Sequence, residues 1–234
     1  MRAVFLNEFK SGDDIAEITG DSAHHLVKVV RIKPEEKILV LNGLGDHFEC
    51  DVQSVSKKSV TVQILAQKKL EKKHNIDLAL CPPKKDATAD ILKYSVELAI
   101  NKVFPIESQY SQLKIENNER TFRLIESAMI QSNNPYLLEI EESRNFENLD
   151  ELFKDYDFIY YFSSHSNIKQ CEKLENKHSI LIIIGPEAGL SYEEEEFLLT
   201  HKKVNVVHFD SWILRSQTAV CSAVGYVFGL MQSV

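Results

Sequence analysis

Two hydrophobic rhythms divide this chain. Up to about residue 65 short apolar runs are separated by turn residues; from Asn75 onward strand-like and helix-like runs alternate. In the first region Arg2–Leu6, Lys37–Leu41, His47–Val55 and Ser59–Leu65 read as strands, with the turn Asn42-Gly43-Leu44-Gly45-Asp46 between two of them. Three consecutive β-runs with turn chemistry between them predict a small barrel or curled sheet. Asp21–Ile32 reads as a helix with Asp21 as N-cap, Leu26, Val29 and Val30 on one face, and Pro34 as its stop. The charged stretch Gln67–His74 reads as a linker, so a first domain of residues 1–70 and a second of 71–234 are expected.

In the second region Ile76–Cys81, Lys102–Ile106, Tyr136–Ile140, Asp157–Phe162, Ile180–Ile184 and Lys203–Phe209 read as strands. Helices are expected around Ile91–Ala99, Glu119–Gln131, Leu149–Lys154, Ile168–Leu174, Glu193–Thr200 and Gln217–Met231. This alternation predicts an α/β domain with a mostly parallel sheet covered on both faces. The run Ile180–Ile184 is apolar at every position, the mark of a strand buried on both sides. It stops at Gly185-Pro186-Glu187-Ala188-Gly189-Leu190, and Ser191 with Glu194 then forms a capping-box helix start. Ligands of open α/β sheets bind beyond the carboxyl ends of the strands, which makes this turn the first place to look for a site.

Composition narrows the class only a little. A chain of 234 residues, 44% hydrophobic and 26% charged, is ordinary for a soluble protein. The start of the chain does not read as a signal peptide, and no apolar run approaches the roughly 20 residues of a membrane span. A cytoplasmic protein without a membrane partner is expected. The net charge of −8 is uneven: residues 1–73 hold 12 Lys and Arg against 11 Asp and Glu, a net +1, and residues 74–234 hold 15 against 24, a net −9. A mildly basic front segment on an acidic body suits a local RNA-facing patch. Cys50, Cys81, Cys171 and Cys221 show neither Cys-x-x-Cys spacing nor zinc-like His spacing, so reduced thiols and no metal are expected. His24 and His25 are adjacent and point about 100° apart on a helix, which suits surface or capping roles better than one shared metal.

Chemistry concentrates in two late stretches. The loop after the strand at Ile76 reads Pro82-Pro83-Lys84-Lys85, which excludes a dinucleotide fingerprint or a Walker loop there. The glycines come instead at Gly185 and Gly189, where positive φ and close approach of backbone to a ligand are expected. The second stretch, Phe209-Asp210-Ser211-Trp212-Ile213-Leu214-Arg215-Ser216-Gln217-Thr218-Ala219, follows another strand end and opens the last helix, with Ser216 as its N-cap.

Together, Gly-Pro-Glu-Ala-Gly-Leu-Ser from Gly185 and Ile-Leu-Arg-Ser-Gln-Thr-Ala from Ile213 resemble the RsmE family of ribosomal RNA methyltransferases. The resemblance extends to His24-His25-Leu26 with Val30-Arg31, to Ser95–Ala99 and to Gln131-Ser132. It implies an N-terminal PUA-like RNA-binding β-barrel and a C-terminal SPOUT domain with a trefoil knot. The implied reaction is S-adenosylmethionine-dependent methylation of uridine N3 in small-subunit (16S-type) ribosomal RNA by a homodimer. The residues implied to hold the cofactor are Phe162, Ser163, Ile184, Gly185, Pro186, Glu187, Gly189, Phe209, Ile213, Leu214, Ser216 and Thr218. Arg215 is implied as anion stabiliser or phosphate clamp, Glu187 as a catalytic or turn-ordering carboxylate, and Arg2, His25, Lys28 and Arg31 as RNA contacts. The chain departs from the family pattern at Ala188, where Gly is usual, at Gln217, where Glu is usual, and at Asn133-Asn134, where a basic residue is frequent. If position 188 requires positive φ, Ala costs about 1 kcal/mol there. A knotted methyltransferase acting on another RNA, such as tRNA ribose, and an RNA-binding or ribosome-assembly protein with a decayed site are the competing readings.

Overall fold

The structure is a computed structural model. It describes every residue except 1, 8, 10–13, 112, 164–174, 176 and 233–234. The helix expected at Ile168–Leu174 and the thiol of Cys171 lie outside the described residues.

The chain forms two compact units, residues 1–72 with 126–137, and residues 73–125 with 138–234. A division at 70/71 would assign residues 126–137 to the second unit, yet they group with the first. The reason is local. Tyr136 Oη donates to Leu70 O at 2.6 Å, and Leu44 and Tyr136 form an antiparallel bridge.

In the first unit β1 (Arg2–Phe5), β2 (Ile15–Ile18), β3 (Lys37–Leu41), β4 (Asp46–Val55) and β5 (Val60–Lys69) make one sheet in the order β1-β3-β4-β5-β2. Only the β1–β3 pair is parallel. Alternating apolar positions such as Ile38, Val40, Phe48, Cys50, Val52, Val60 and Val62 point to one core. The expected helix at 21–32 takes a different form. A short α1 (Gly20–His24) has Thr19, not Asp21, at its N-cap, and a π-helical turn, His25–Val30, follows. Arg31 ends it in the left-handed region (φ 55), three residues before Pro34. The wider π-turn changes which side chains meet the core. Leu26 is buried and Val27 and Val30 pack beside it, while Val29 is 66% exposed rather than on the buried face.

The second unit carries β6 (Asn75–Leu80), α2 (Lys85–Glu97), β7 (Lys102–Glu107), the start of α3 (Glu119–Ser132), β8 (Glu139–Ile140), β9 (Arg144–Asn145), α4 (Leu149–Phe153), β10 (Phe158–Phe162), β11 (Ser179–Ile184), α5 (Tyr192–Thr200), β12 (Val204–Val207) and α6 (Ser216–Gln232). Its sheet runs β12-β10-β11-β6-β7-β8, with β9 also on β7, and every pair is parallel. The strand expected at Tyr136–Ile140 is reduced to two residues, because Tyr136 turns its ring to the Gly45 turn instead. β11 lies between β10 and β6. Its Leu181 and Ile183 join the core made with α4 and α5, and α6 covers the opposite face, where Tyr226 meets Tyr160 with ring centroids 6.4 Å apart. Burial on both faces is why this strand has no polar position after Ser179.

Cys50, Cys81 and Cys221 are free thiols. Burial pushes Cys50 and Cys81 up to about 12, so they stay protonated and unreactive. Among the described residues no group of three or more His, Cys, Asp or Glu is placed to hold a metal, and no helix is long and apolar enough to cross a membrane.

Candidate functional site

Parallel strands bring their carboxyl ends to one edge of the sheet, and here three of them finish together. Tyr161 of β10 is opposite Ile183 of β11, and Phe162 is opposite Val207 of β12. The register continues one residue further, where Ser163 N donates to Val207 O at 2.9 Å. The turn after β11 and the loop after β12 therefore rise side by side. Between them is a cavity of about 370 Å³, within the range of small-ligand sites.

The turn is closed by Gly189 N donating to Pro186 O at 3.0 Å. Its left-handed residue is Gly189 (φ 82), not Ala188, so Ala188 carries none of the strain expected for it. Gly185 is not left-handed either, and a Cβ there would meet only Leu190 at 3.4 Å, an ordinary contact. The need for glycine at 185 thus does not come from the fold. Beyond the turn Ser191 caps α5 as expected: its Oγ accepts from Glu194 N at 3.2 Å, and Glu194 Oε2 accepts from Ser191 N at 2.9 Å. At the other loop the helix begins with Ser216 itself, and the carbonyl of Arg215 takes its first bond, from Ala219 N at 2.8 Å. Arg215, not Ser216, is therefore in the capping place, and Ser216 is buried against the cavity.

The cavity brings together Phe162, Ser163, Ile184, Gly185, Pro186, Glu187, Gly189, Phe209, Ile213, Leu214, Arg215 and Ser216. Thr218 does not line it; it is exposed in the first turn of α6. The walls are partly aromatic, with Phe162 and Phe209 stacked at 5.3 Å and 30°. Arg215 is exposed, and among the described residues it has no ion pair, which leaves its charge for a ligand. Glu187 is exposed on the turn.

Six lining residues escaped the sequence reading: Tyr161, Leu190, His208, Ser211, Trp212 and Ala219. Leu190, Ser211, Trp212 and Ala219 stand inside the two motif stretches, so taking every residue of each stretch would have found them. Tyr161 and His208 had no local signal, because strand register supplies them. His208 Nδ1 lies 3.2 Å from Ser163 O. A carbonyl only accepts, so Nδ1 holds the proton in this contact. Burial and the Glu195 carboxylate raise the Tyr161 phenol above its ordinary value, so it remains an O–H donor.

A wider groove of about 820 Å³ is present at the end of β7, but Glu107, Glu147, Glu193 and Glu194 line it. Four carboxylates repel nucleic-acid phosphates, and of the motif residues above it is lined by Ser191, the cap of α5, and by none of the cofactor or RNA candidates.

In the first unit Arg2, His25, Lys28 and Arg31 are all exposed. Arg2 Nη1 donates to Val30 O and pairs with Glu36, both at 3.2 Å, which ties the start of β1 to the end of the π-turn.

Comparison with known proteins places this geometry. The pattern of an RNA methyltransferase domain matches residues 70–228, and that of an RNA methyltransferase PUA domain matches residues 18–65. The ribosomal RNA small subunit methyltransferase E of Rickettsia conorii is 26% identical over 230 residues, 96% of this chain and 93% of its own. The protein of the same name from Bacillus subtilis is 27% identical over 235 residues, 92% and 91% of the two chains. A crystal structure of ribosomal RNA small subunit methyltransferase E from Neisseria gonorrhoeae, bound to S-adenosyl methionine, shares the fold with a TM-score of 0.86. It is 22% identical, covering 99% of this chain and 98% of the other.

Proposed function

Because this chain belongs to the RNA methyltransferase domain family, with a PUA domain ahead of it, we propose that it methylates uridine N3 in small-subunit (16S-type) ribosomal RNA, using S-adenosylmethionine. The observation that carries the reading is the convergence of the Gly185 turn and the Phe209–Ser216 loop on one cavity. The full-length likeness to two proteins named small-subunit RNA methyltransferase supports the choice of RNA.

The residues present suit the cofactor. Stacked Phe162 and Phe209 offer an aromatic wall for a purine, and the Gly185–Gly189 turn offers backbone at close range without side chains in the way. Ile184, Pro186, Ile213, Leu214 and Ser216 complete the surround. When bound, S-adenosylmethionine supplies a methyl group activated by a sulfonium. The chain's own part is to hold the uracil and manage its charge. Uracil N3–H is a weak acid, so transfer requires loss of that proton and stabilisation of the resulting anion. Arg215, at the cavity mouth and unpaired among the described residues, is the group for the anion or a neighbouring phosphate. Glu187 acts in the turn. His25, Lys28 and Arg31, with Arg2 behind them, form the phosphate contacts of the first unit.

The late loops form a trefoil knot, and two copies pack to complete the site. Trp212 and Ile213, each 93% exposed beside the cavity, are apolar surface that a second subunit would cover. The protein works in the cytoplasm, where small subunits are made. Ala188 outside the left-handed region argues against a decayed site.

Calorimetry with S-adenosylmethionine, then nucleoside mass analysis of ribosomal RNA from a strain lacking the modification, tests this. N3-methyluridine is the expected product. Cofactor binding with no methyl transfer to that RNA sinks the proposal, and a ribose-methylated product shifts the assignment to another target.

A further inference from the structure

Four consecutive glutamates, Glu193–Glu196, open α5. Two of them leave the solvent in different directions. Glu194 closes the capping box and takes Gln109 N at 2.7 Å. Glu195 turns toward the strand ends, where its Oε1 accepts from Ser163 Oγ at 3.0 Å and from Tyr161 Oη at 3.3 Å. Both donors line the cavity, whereas Glu195 itself does not.

A carboxylate has no proton to give, so the direction of these bonds is settled. In both contacts the hydroxyl is the donor and Glu195 the acceptor, and both hydroxyl-bearing residues line the cavity. Ser163 is only 6% exposed, and its main chain is fixed as well, by the N–H bond to Val207 O and by His208 Nδ1 on its carbonyl. A hydroxyl held this way cannot rotate to serve a donor on one occasion and an acceptor on another. The charge behind it favours a donor or cationic ligand group and disfavours a carboxylate.

Resting on the reading that this cavity holds S-adenosylmethionine, we propose that Glu195 is a positioning residue of the cofactor site. By taking the hydroxyl protons of Ser163 and Tyr161, it makes that wall a fixed hydrogen-bond acceptor for a donor group of the cofactor. Glu195 acts through Ser163 and touches neither cofactor nor RNA.

The test is a calorimetric cycle with S-adenosylmethionine on the whole protein and on Glu195→Ala, Glu195→Gln, Ser163→Ala and the Glu195→Ala/Ser163→Ala pair, each checked for folding by thermal melting. Glu195→Ala weakens binding about tenfold, the scale of one charge-assisted hydrogen bond. Glu195→Gln keeps an acceptor oxygen and recovers most of that loss. The double variant is no weaker than the poorer single one, since both remove the same interaction. In turnover, KM for S-adenosylmethionine rises while KM for RNA is unchanged. Should Glu195→Ala destabilise the protein, Tyr161→Phe and Ser163→Ala carry the test: Ser163→Ala alone must reproduce the loss, and Tyr161→Phe, which leaves Ser163 anchored, must weaken binding less. Wild-type affinity in Glu195→Ala, losses that multiply in the double variant, or no recovery in Glu195→Gln overturns the inference while the cofactor assignment stands. A wild-type protein that does not bind S-adenosylmethionine overturns both.

Discussion

Replacing Gly185 by Ala separates what the fold needs from what a ligand needs. Gly185 ends the central strand outside the left-handed region, so Ala there has no backbone penalty. The new Cβ would meet Leu190 Cγ at 3.4 Å and Cδ2 at 3.7 Å, ordinary van der Waals distances. Folding stability should change by no more than about 0.5 kcal/mol, and the stiffer unfolded chain works in favour of Ala. Gly189 gives the contrast within the same turn. Nothing lies within 4 Å of its Cβ position, but its φ of +82° costs an L side chain about 1–2 kcal/mol. Both residues line the cavity. If backbone at 185 approaches the cofactor closely, an added methyl overpacks the complex by about 1–3 kcal/mol, or roughly 5- to 150-fold in affinity. Chemical denaturation and S-adenosylmethionine calorimetry read the two effects separately. The expected result is a Gly185→Ala protein as stable as wild type that binds the cofactor at least about tenfold more weakly. Undiminished binding refutes the close-approach argument, and a large loss of stability refutes the claim that the fold does not need this glycine.

Three further outcomes follow from backbone geometry and burial. Ala99 ends α2 in the left-handed region (φ 55), with Ile100 N on Ser95 O at 2.8 Å and Ala99 N on Val96 O at 3.1 Å, the paired bonds of a Schellman end. Ala99→Gly should add about 1 kcal/mol and raise the melting temperature by about 2–4 °C; an unchanged melt would falsify the strain assignment. Gly45 has a φ of +99°, and a Cβ there would lie 2.5 Å from the Tyr136 ring, so Gly45→Ala should cost about 3 kcal/mol or more, partly restored by Tyr136→Ala. Equilibrium denaturation checks both, and a silent Gly45→Ala contradicts the packing described. Burial, then the charge of Lys73, lowers His74 to about 4 from its ordinary 6.5. The unfolded chain therefore binds this proton first, and the stability His74 contributes is complete above pH 6.5 and lost as pH falls toward 4. At pH 5 the loss is about 2 kcal/mol, and His74→Phe should flatten the stability profile between pH 7 and 5; parallel profiles for the two proteins exclude this assignment.

How much of this was legible in the chain depended on the range of the physics. β11 declared itself because burial on both faces removes every polar position from Ile180 to Ile184, a requirement met within five residues. The Ser191–Glu194 cap was equally local, and the Gly185 turn and Phe209–Ser216 loop were visible as motif stretches. The π-turn was not legible. The pattern of Leu26, Val29 and Val30 fits an α-helix, and only packing in the sheet core decides that Val27 faces in and Val29 out. Tyr136 misled for the same reason: an apolar ring beside Leu137 and Leu138 looks like strand, but its ring and hydroxyl serve the Gly45 turn and Leu70. His208 and Ser163 are 45 residues apart, and nothing in either neighbourhood says that β10 and β12 lie side by side.

The glutamate run shows where composition stops being informative and register takes over. Glu193–Glu196 are identical letters inside a segment of net charge −9, and a run of like charges ordinarily reads as solvated surface. Successive helical residues are rotated by about 100°, so at most one or two of four can face the sheet. Ser191 fixes which: as N-cap it makes Glu194 the third residue of the helix, whose side chain must fold back on the cap. Glu195 is then carried round to the ends of β10, where Tyr161 and Ser163 wait with hydroxyl donors. Moving the cap back by one residue would pass the two roles to Glu193 and Glu194 and leave the charge unaltered. The link between α5 and the cavity is thus set by the place of one serine, and a Ser191→Ala protein that keeps its fold should loosen the Ser163 wall as well as the helix end.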